Sequence, residues 1–198
     1  IELPHQNWQA YTTRDSGDLA DEGVDVDEFD LLKAGLRKRP DRIVLGEIRG
    51  REAFELFQSI RTGHPGLTTF HATSFNDVIN RMSTEPIGVP HSVMTAIDLL
   101  LIQGEVSIGD ENMRRNRMIA EISGYETGSE NSDPQVLKNT ISEWDARIDE
   151  QMIKTDDSVQ LDEIQSQRGW DDGEEQIQIR RRRVILAAII VEEISEYH

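Results

Sequence analysis

Hydrophobic positions near the start of the chain follow two periodicities in turn. Residues 24–39 place apolar side chains at Phe29, Leu32 and Leu36, with acids early and bases late, which predicts a helix. The apolar run IVLGEI at 43–48 predicts a buried strand, because charged residues flank it on both sides. A helix followed by a short buried strand begins an alternating α/β pattern.

The next segment is apolar at helical spacing. Residues 51–62 carry Phe54, Phe57 and Ile60 on one side, which predicts an amphipathic helix with these three side chains directed inward. Gly63 follows directly and is expected to end this helix.

Other short apolar runs predict strands before and after these helices. The strands lie at 8–14, 67–72, 98–106 and 114–126. Helices are predicted at 75–83, with Ser74 as the N-cap, and at 93–97. Strands that alternate with helices at this spacing indicate βαβ units and a largely parallel sheet.

The character of the sequence changes near residue 128, where a polar, Gly-containing stretch is followed by one predicted strand and two predicted helices. We therefore divide the chain into residues 1–127 and residues 128–198. The last helix carries four consecutive arginines, 180–183, before an apolar run, and we expect it to pack on the core with a solvated arginine face.

The charge balance is strongly acidic. The 198 residues hold 38 acids and 21 bases, a net charge of −17, and only four of the bases are lysines. This excess of acid favours a protein that works in a high-salt cytoplasm, where surface charge is screened, and an ordinary acidic soluble protein is the alternative. Binding to nucleic acid is disfavoured because neutralising phosphates requires a basic surface.

Several classes of protein are excluded by residues that the sequence lacks. There is no cysteine, so disulfides and thiolate metal sites are ruled out. The longest apolar run, 184–191, is far shorter than the roughly 20 residues that cross a bilayer. The chain starts at Ile1 rather than Met, and we expect it to be a piece of a longer protein.

One carboxylate lies where α/β proteins bind ligands. Glu47 lies near the end of the apolar run of 43–48, and the carboxyl ends of parallel strands are the usual place for a ligand. A carboxylate there can orient an attacking water or hold Mg²⁺ through a water. The alternative is a strand-end glutamate that only pairs with Arg49 or Arg51.

Two histidines bracket the segment GHPGLTTFH at 63–71. His64 and His71 are seven residues apart, whereas a zinc pair on one helix face needs a spacing of four. The G-x-S-x-G motif of serine hydrolases is absent. A metal-dependent hydrolase that uses both histidines and Glu47 remains a further hypothesis, although we predict no bound metal.

The two segments together are more specific than either alone. The stretch LRKRPDRIVLGEIRG, then one helix, then SIRTGHPGLTTFHATS, resembles the Walker B region and histidine box of the secretion and pilus motor ATPases. The short motifs RPD, GEIRG, TGH and GLTT resemble those of the archaeal branch in particular. The opening IELPHQNW and the closing SEWDARID, LDEIQSQRGWDDGEEQ and RRRRVILAAIIVEEISEY resemble the same family, so the likeness covers nearly the whole chain.

The resemblance implies a fold and three catalytic residues. The expected fold is α/β, a partial RecA-like P-loop NTPase core with a mostly parallel sheet and flanking helices over 1–127, plus a small α+β appendage over 128–198. Glu47 is the implied Walker B glutamate, which orients the hydrolytic water. His71 and His64 are the implied histidines of the box, with His71 on the side of the γ-phosphate.

Five further residues are implied to contact the nucleotide. Gly46 precedes the Walker B glutamate, Thr68 and Thr69 line the second strand, and Arg37 and Arg49 are candidates for phosphate or inter-subunit contact. The implied cofactors are ATP and Mg²⁺ in the full-length protein, with none expected on this chain alone. For Arg49, an ion pair with an acid is the favoured alternative.

One motif of the family is missing from these residues. A P-loop, G-x-x-x-x-G-K-[ST], holds the phosphates with backbone amides and a lysine, and no Gly-Lys pair occurs in the chain. We therefore predict that the isolated chain does not hydrolyse ATP at a useful rate. The alternative function is a catalytically silent module that binds ring neighbours or a membrane platform.

The resemblance also implies partners and a location. In the full-length protein, ATP hydrolysis in a ring, expected to be a hexamer, would drive the assembly or secretion of extracellular filaments or proteins. The expected partner is a polytopic membrane platform protein, and no nucleic acid is expected. The protein would be cytoplasmic and peripheral at the inner face of the cell membrane.

Overall fold

A computed structural model describes residues 5–14, 25–128 and 134–196, with side chains described up to residue 186 in the last helix. Six helices are found in this part of the chain: α1 Glu28–Leu36, α2 Glu52–Arg61, α3 Phe75–Ser83, α4 His91–Met94, α5 Val159–Arg168 and α6 Glu174–Glu196. Six strands accompany them: β1 Ile43–Leu45, β2 Gly66–Thr68, β3 Leu99–Ile108, β4 Glu111–Glu126, β5 Gln135–Asp145 and β6 Glu150–Ile153. The α/β class expected from the sequence is confirmed.

The first pair of strands is parallel, as predicted. β1 and β2 pair in register from Ile43 opposite Gly66 to Leu45 opposite Thr68, and α2 makes the crossover between them. A parallel pair requires such a crossover, since a tight turn only joins antiparallel strands. Both strands are three residues long, shorter than the runs 43–48 and 67–72 predicted from the sequence.

The later strands form a second, antiparallel sheet rather than extending the parallel one. Its strand order is β3-β4-β5-β6, a meander of four neighbouring strands. The expectation of a largely parallel sheet is therefore wrong beyond β2. The physical reason is the two-residue connection Gly109 and Asp110 between β3 and β4, with Gly109 at φ 60°, because a connection this short only makes a hairpin. Residue 128 lies between β4 and β5, two paired strands of this sheet.

The core lies between the helices that follow each parallel strand and the antiparallel sheet. Its fully buried members include Leu56 and Phe57 on α2, Met94 on α4 and Ala120 on β4. α3 contributes Phe75, Val78, Ile79 and Met82. Ser74 is the N-cap of α3, as predicted, and its hydroxyl accepts from the Asp77 amide at 3.2 Å. These contacts hold α2 and α3, which follow β1 and β2 along the chain, in the core.

Three details of the predicted core differ in the structure. Residues 8–14 form no strand, and among the described residues their ladder pairing is limited to the isolated bridge between Arg14 and Val26. Phe54 is 39% exposed, so the inward face of α2 is formed by Leu56, Phe57 and partly Ile60 instead. The parallel strands are half-covered rather than buried, with Val44 exposed.

The C-terminal helices are joined to the antiparallel sheet through a buried carboxylate. Glu121 on β4 is 1% exposed and accepts from the Ser158 hydroxyl at 2.5 Å and the Val159 amide at 2.9 Å, at the start of α5. An acid at a helix N-terminus satisfies amides that lack partners within the helix.

The last helix is more exposed than the sequence suggests. The apolar side chains of α6 that the structure describes are largely open to solvent, namely Ile177, Ile179, Val184, Ile185 and Leu186. For these residues the expectation of a core-packed helix is wrong. The part of the chain that the structure describes contains no helix long and apolar enough to cross a membrane.

Candidate active site

Two hydrogen bonds carry the pairing of β1 and β2 beyond the ends of the strands. The Ile48 amide donates to the Thr69 carbonyl at 3.1 Å, and the Thr69 hydroxyl donates to the Gly46 carbonyl at 2.6 Å. The two segments therefore run side by side through the residues that follow each strand. This geometry brings Glu47, which follows β1, next to His71, which follows β2.

Both oxygens of the Glu47 carboxylate are engaged by basic side chains. Arg49 donates to Oε2 from Nε at 2.8 Å and from Nη2 at 2.5 Å, and Nε2 of His71 lies 3.2 Å from Oε1. The Glu47 side chain is 21% exposed, whereas those of Arg49 and His71 are 77% and 87% exposed. The carboxylate is thus shielded while its partners face solvent, and the ion pair between Arg49 and Glu47 is formed.

The electrostatics favour an ionised carboxylate. The hydrogen bonds from Arg49 hold the pKa of Glu47 below its ordinary value of 4.5, and the charges of Arg49 and His71 act in the same direction while desolvation opposes them. The same pairing raises the pKa of Arg49. A carboxylate kept ionised in this way can accept a proton or a hydrogen bond from water.

A second glutamate fixes the turn that carries Arg49. Glu52, the buried first residue of α2, accepts from the amides of Arg49 and Gly50 at 2.6 and 2.7 Å. These bonds satisfy two amides in a chain reversal where no strand or helix would pair them. The backbone between Glu47 and α2 is therefore held in one arrangement.

Glu47, Arg49 and His71 line one cleft, which has a volume of about 590 Å³. The opposite side of the cleft is formed by the end of α3 and the residues after it. The lining residues on that side are Asn80, Arg81, Thr84, Glu85, Pro86 and Ile87. The cleft thus combines two acidic groups, three basic groups and an apolar floor made by Ile48 and Phe70.

The residues from the end of α3 were not foreseen from the sequence. Asn80 and Arg81 lie in the last turn of α3, and Thr84 and Glu85 follow the helix directly, with Thr84 in extended backbone. Arg81 also touches the histidine segment, since its Nη1 donates to the His71 carbonyl at 2.6 Å.

The structure does not bring His64 into the site. His64 precedes β2, so it lies at the amino end of the parallel pair, whereas Glu47 and His71 lie past the carboxyl ends. Thr69 is five positions after His64, which corresponds to roughly 15 Å of extended chain. His64 is absent from the cleft lining, and its buried Nδ1 has no hydrogen-bond partner among the described residues.

Four other predicted contact residues lie outside the cleft lining. Arg37 is exposed at the end of α1. The Thr69 hydroxyl donates to the Gly46 carbonyl, and the Thr68 hydroxyl donates to the Thr69 carbonyl at 3.4 Å. A Cβ at Gly46 would meet no atom within 4 Å, so the described residues give no steric reason for glycine there. Gly46 and Thr69 therefore align the two strand ends.

The site offers a metal ion few protein ligands. Among the described residues no group of three His, Cys, Asp or Glu side chains is placed to hold a metal ion. The hydrolase hypothesis needs His64, His71 and Glu47 together, and the strand direction separates the first from the other two.

Comparison with known proteins identifies the family. The family described as Type II/IV secretion system protein matches residues 4–193, and the chain belongs to this family. The chain is 34% identical over 203 residues to Uncharacterized protein MJ0900 of Methanocaldococcus jannaschii, which is 100% of this chain and 35% of that protein. It is 42% identical over 126 residues to Uncharacterized protein MJ1287 of the same organism, 64% of this chain and 46% of that protein.

Relatives from bacteria include named transfer proteins. Conjugal transfer protein TrbB of Rhizobium radiobacter is 34% identical over 106 residues, which is 50% of this chain and 32% of that protein. Type IV secretion system protein PtlH of Bordetella pertussis is 35% identical over 86 residues, 42% of this chain and 25% of that protein. The aligned part of this chain spans less than half the length of each of these four relatives.

Proposed function

We propose that this chain supplies the Glu47 and His71 side of the active site of an archaeal secretion, pilus or flagellar motor ATPase. The observation that carries the proposal is the contact between these two residues past the carboxyl ends of two parallel strands, at the edge of a cleft. This is where α/β proteins bind nucleotides. The names of two relatives, which refer to conjugal transfer and type IV secretion, support the proposed role in secretion.

In the proposed reaction Glu47 orients the water that attacks the terminal phosphate. Its pKa lies below 4.5, so it is ionised at neutral pH and accepts a hydrogen bond from that water. His71, which is exposed toward the cleft, would contact the phosphate from the other side. Arg49 would hold the carboxylate in place, as its two hydrogen bonds to Glu47 support.

The residues of the cleft fit one part of the implied cofactor, ATP with Mg²⁺. Two carboxylates, those of Glu47 and Glu85, and three basic groups suit a hydrated Mg²⁺ and a terminal phosphate. When bound, Mg²⁺ would neutralise charge that develops on the phosphate oxygens. The cradle for the remaining phosphates is a P-loop, which these 198 residues do not contain. We therefore expect the isolated chain to be inactive.

The same proposal includes the assembly, the location and the partner of the motor. The whole protein would form a ring, expected to be a hexamer, at the cytoplasmic face of the membrane, where a polytopic platform protein would hold it. The net charge of −17 with four lysines supports a high-salt cytoplasm.

The proposal is tested by ATP turnover, measured as phosphate release, in the whole polypeptide that carries this chain. We expect Glu47→Gln to lower kcat about 100-fold or more, because the amide cannot accept a proton or orient water as the carboxylate does. The matched control is Glu143→Gln, which removes an exposed carboxylate on β5 and should leave kcat unchanged.

The chain of 198 residues is assayed in parallel and should release no phosphate above the blank. Robust turnover by this chain that Glu47→Gln abolishes would overturn the prediction of inactivity. Unchanged turnover of the whole polypeptide after Glu47→Gln would overturn the proposed function itself.

A further inference from the structure

The backbone of His71 belongs to a segment without regular structure. Residues 69–73 lie between β2 and the N-cap of α3, in neither a helix nor a strand. The His71 ring is 87% exposed, and its described polar contact is with Glu47 at 3.2 Å. An exposed ring on an irregular segment loses conformational freedom when it is held in one position, so its location depends on what fixes its backbone.

Arg81 provides the bond that fixes this backbone. Its Nη1 donates to the His71 carbonyl at 2.6 Å, a reach of ten residues from α3 back to the loop. The guanidinium lies over the ring of Phe70, with Cζ 5.5 Å from the ring centroid. A charged donor makes a stronger bond to a carbonyl than a neutral one, and a planar cation over an aromatic face is itself stabilised.

Arg81 is held by a rigid support. α3 buries Val78, Ile79 and Met82 in the core, so the turn that carries Arg81 is anchored. Asp77 lies 4.0 Å from the Arg81 guanidinium, and its carboxylate also accepts from the Thr73 amide at 2.8 Å. The loop is thus attached to α3 at two points, through Thr73 and through His71.

We infer that Arg81 is the positioning residue that holds His71 opposite Glu47. Arg81 acts through the His71 carbonyl rather than on the Glu47 carboxylate. The functional importance of this contact rests on the proposed function, whereas the contact itself can be tested without any turnover.

The experiment measures the contact between the His71 ring and the Glu47 side chain by NMR in the 198-residue chain. In the wild type, the nuclear Overhauser effect between the two side chains should be present. In Arg81→Met, which keeps the length of the side chain and removes its donors, the effect should weaken about fivefold because the held conformation loses one charged hydrogen bond.

The controls separate positioning from folding. Arg61→Met removes an exposed arginine at the end of α2 and should leave the effect unchanged. The resonances of His64 and His91 report on the fold and should not move in Arg81→Met. An undiminished contact in a folded Arg81→Met would overturn the inference. If that variant does not fold, the inference is tested in the wild type instead. Absence of a nuclear Overhauser effect between the Arg81 guanidinium protons and the His71 Hα would overturn the inference.

A kinetic arm distinguishes this inference from the proposed function. In the whole polypeptide, Arg81→Met should lower kcat with little change in KM, and combining it with His71→Ala should add no further loss. If the contact weakens as expected but kcat does not change, the positioning role stands and the proposed role of His71 fails.

Discussion

The Glu47 carboxylate is controlled mainly by Arg49. Hydrogen bonds from Arg49 are the largest cause of the lowered pKa of Glu47, and the charge of His71 is a smaller one. Because the folded state lowers this pKa below 4.5, the pairing adds stability above pH 4.5 and loses that contribution as the pH falls through the folded pKa. At neutral pH the carboxylate is ionised in both the folded and unfolded states, so the pairing contributes fully.

Removing Arg49 should therefore raise the pKa of Glu47. We expect Arg49→Gln to move it up toward 4.5, with burial then the main remaining influence, since desolvation acts in that direction. The measurement is a titration of the Glu47 carboxyl carbon by NMR in the 198-residue chain. Arg61→Gln, which changes an exposed arginine on α2, is the control. An unchanged pKa in Arg49→Gln would show that the ion pair is absent in solution.

The sequence predicted part of this site and missed part for physical reasons. Glu47 and His71 each follow an apolar run, and parallel pairing of those runs was enough to expect them at one edge. His64 is grouped with them through the resemblance to the histidine box, whereas the strand between His64 and His71 carries the two to opposite ends. Arg81 was missed because a long side chain reaches back over ten residues, which no local pattern indicates.

The attachment of α5 depends on one buried acid on β4. The Glu121 carboxylate accepts two backbone amides and the Ser158 hydroxyl at the start of α5, and Asn139 from β5 lies 3.4 Å away. These groups would be left without partners in a buried place if the acceptor were removed. α5 buries none of its own residues, so this contact is its principal anchor.

We expect Glu121→Gln to lower the free energy of unfolding by about 1–3 kcal/mol, because an amide cannot accept from all of these donors and leaves at least one unsatisfied. The measurement is urea-induced unfolding of the 198-residue chain. Glu126→Gln, at the exposed end of the same strand, should change it by less than about 0.5 kcal/mol. Equal small effects of the two substitutions would contradict the anchoring role.

The strands show how far a local hydrophobic pattern predicts their positions and their direction of pairing. Apolar runs located five of the six strands approximately, whereas β6 was not predicted and the strand predicted at 8–14 is not formed, and the helices between β1 and β3 were found. The parallel arrangement of β1 and β2 followed from the helix between them. The hairpin between β3 and β4 was overlooked because Gly109 and Asp110 interrupt the pattern for only two residues.

The molecule as described leaves apolar surface open around its two sheets. Val44 and Leu67 face each other in register on the parallel pair and are 37% and 67% exposed. Parallel strands in proteins are covered on both faces. We expect further chain or a partner to pack on this face in the working protein, consistent with relatives that are more than twice as long as the aligned segments.

Exposure of this kind cannot be predicted from composition. An apolar run in the sequence indicates residues that a fold is able to bury. The run does not indicate which part of the chain or of an assembly covers those residues. The same reason explains α6, where Val184 and Leu186 were expected in the core and are 64% and 59% exposed.

The central claim is that one histidine of the pair, His71, acts with Glu47 on the terminal phosphate, while His64 lies elsewhere. The most direct test compares His71→Ala and His64→Ala by ATP turnover in the whole polypeptide. Loss of a group that stabilises charge in the transition state lowers kcat about 100-fold or more, and we expect this for His71→Ala. His64→Ala should retain kcat within about threefold, because its ring lies at the other end of the parallel strands. Equal losses in the two variants, or a larger loss for His64→Ala, would contradict the account.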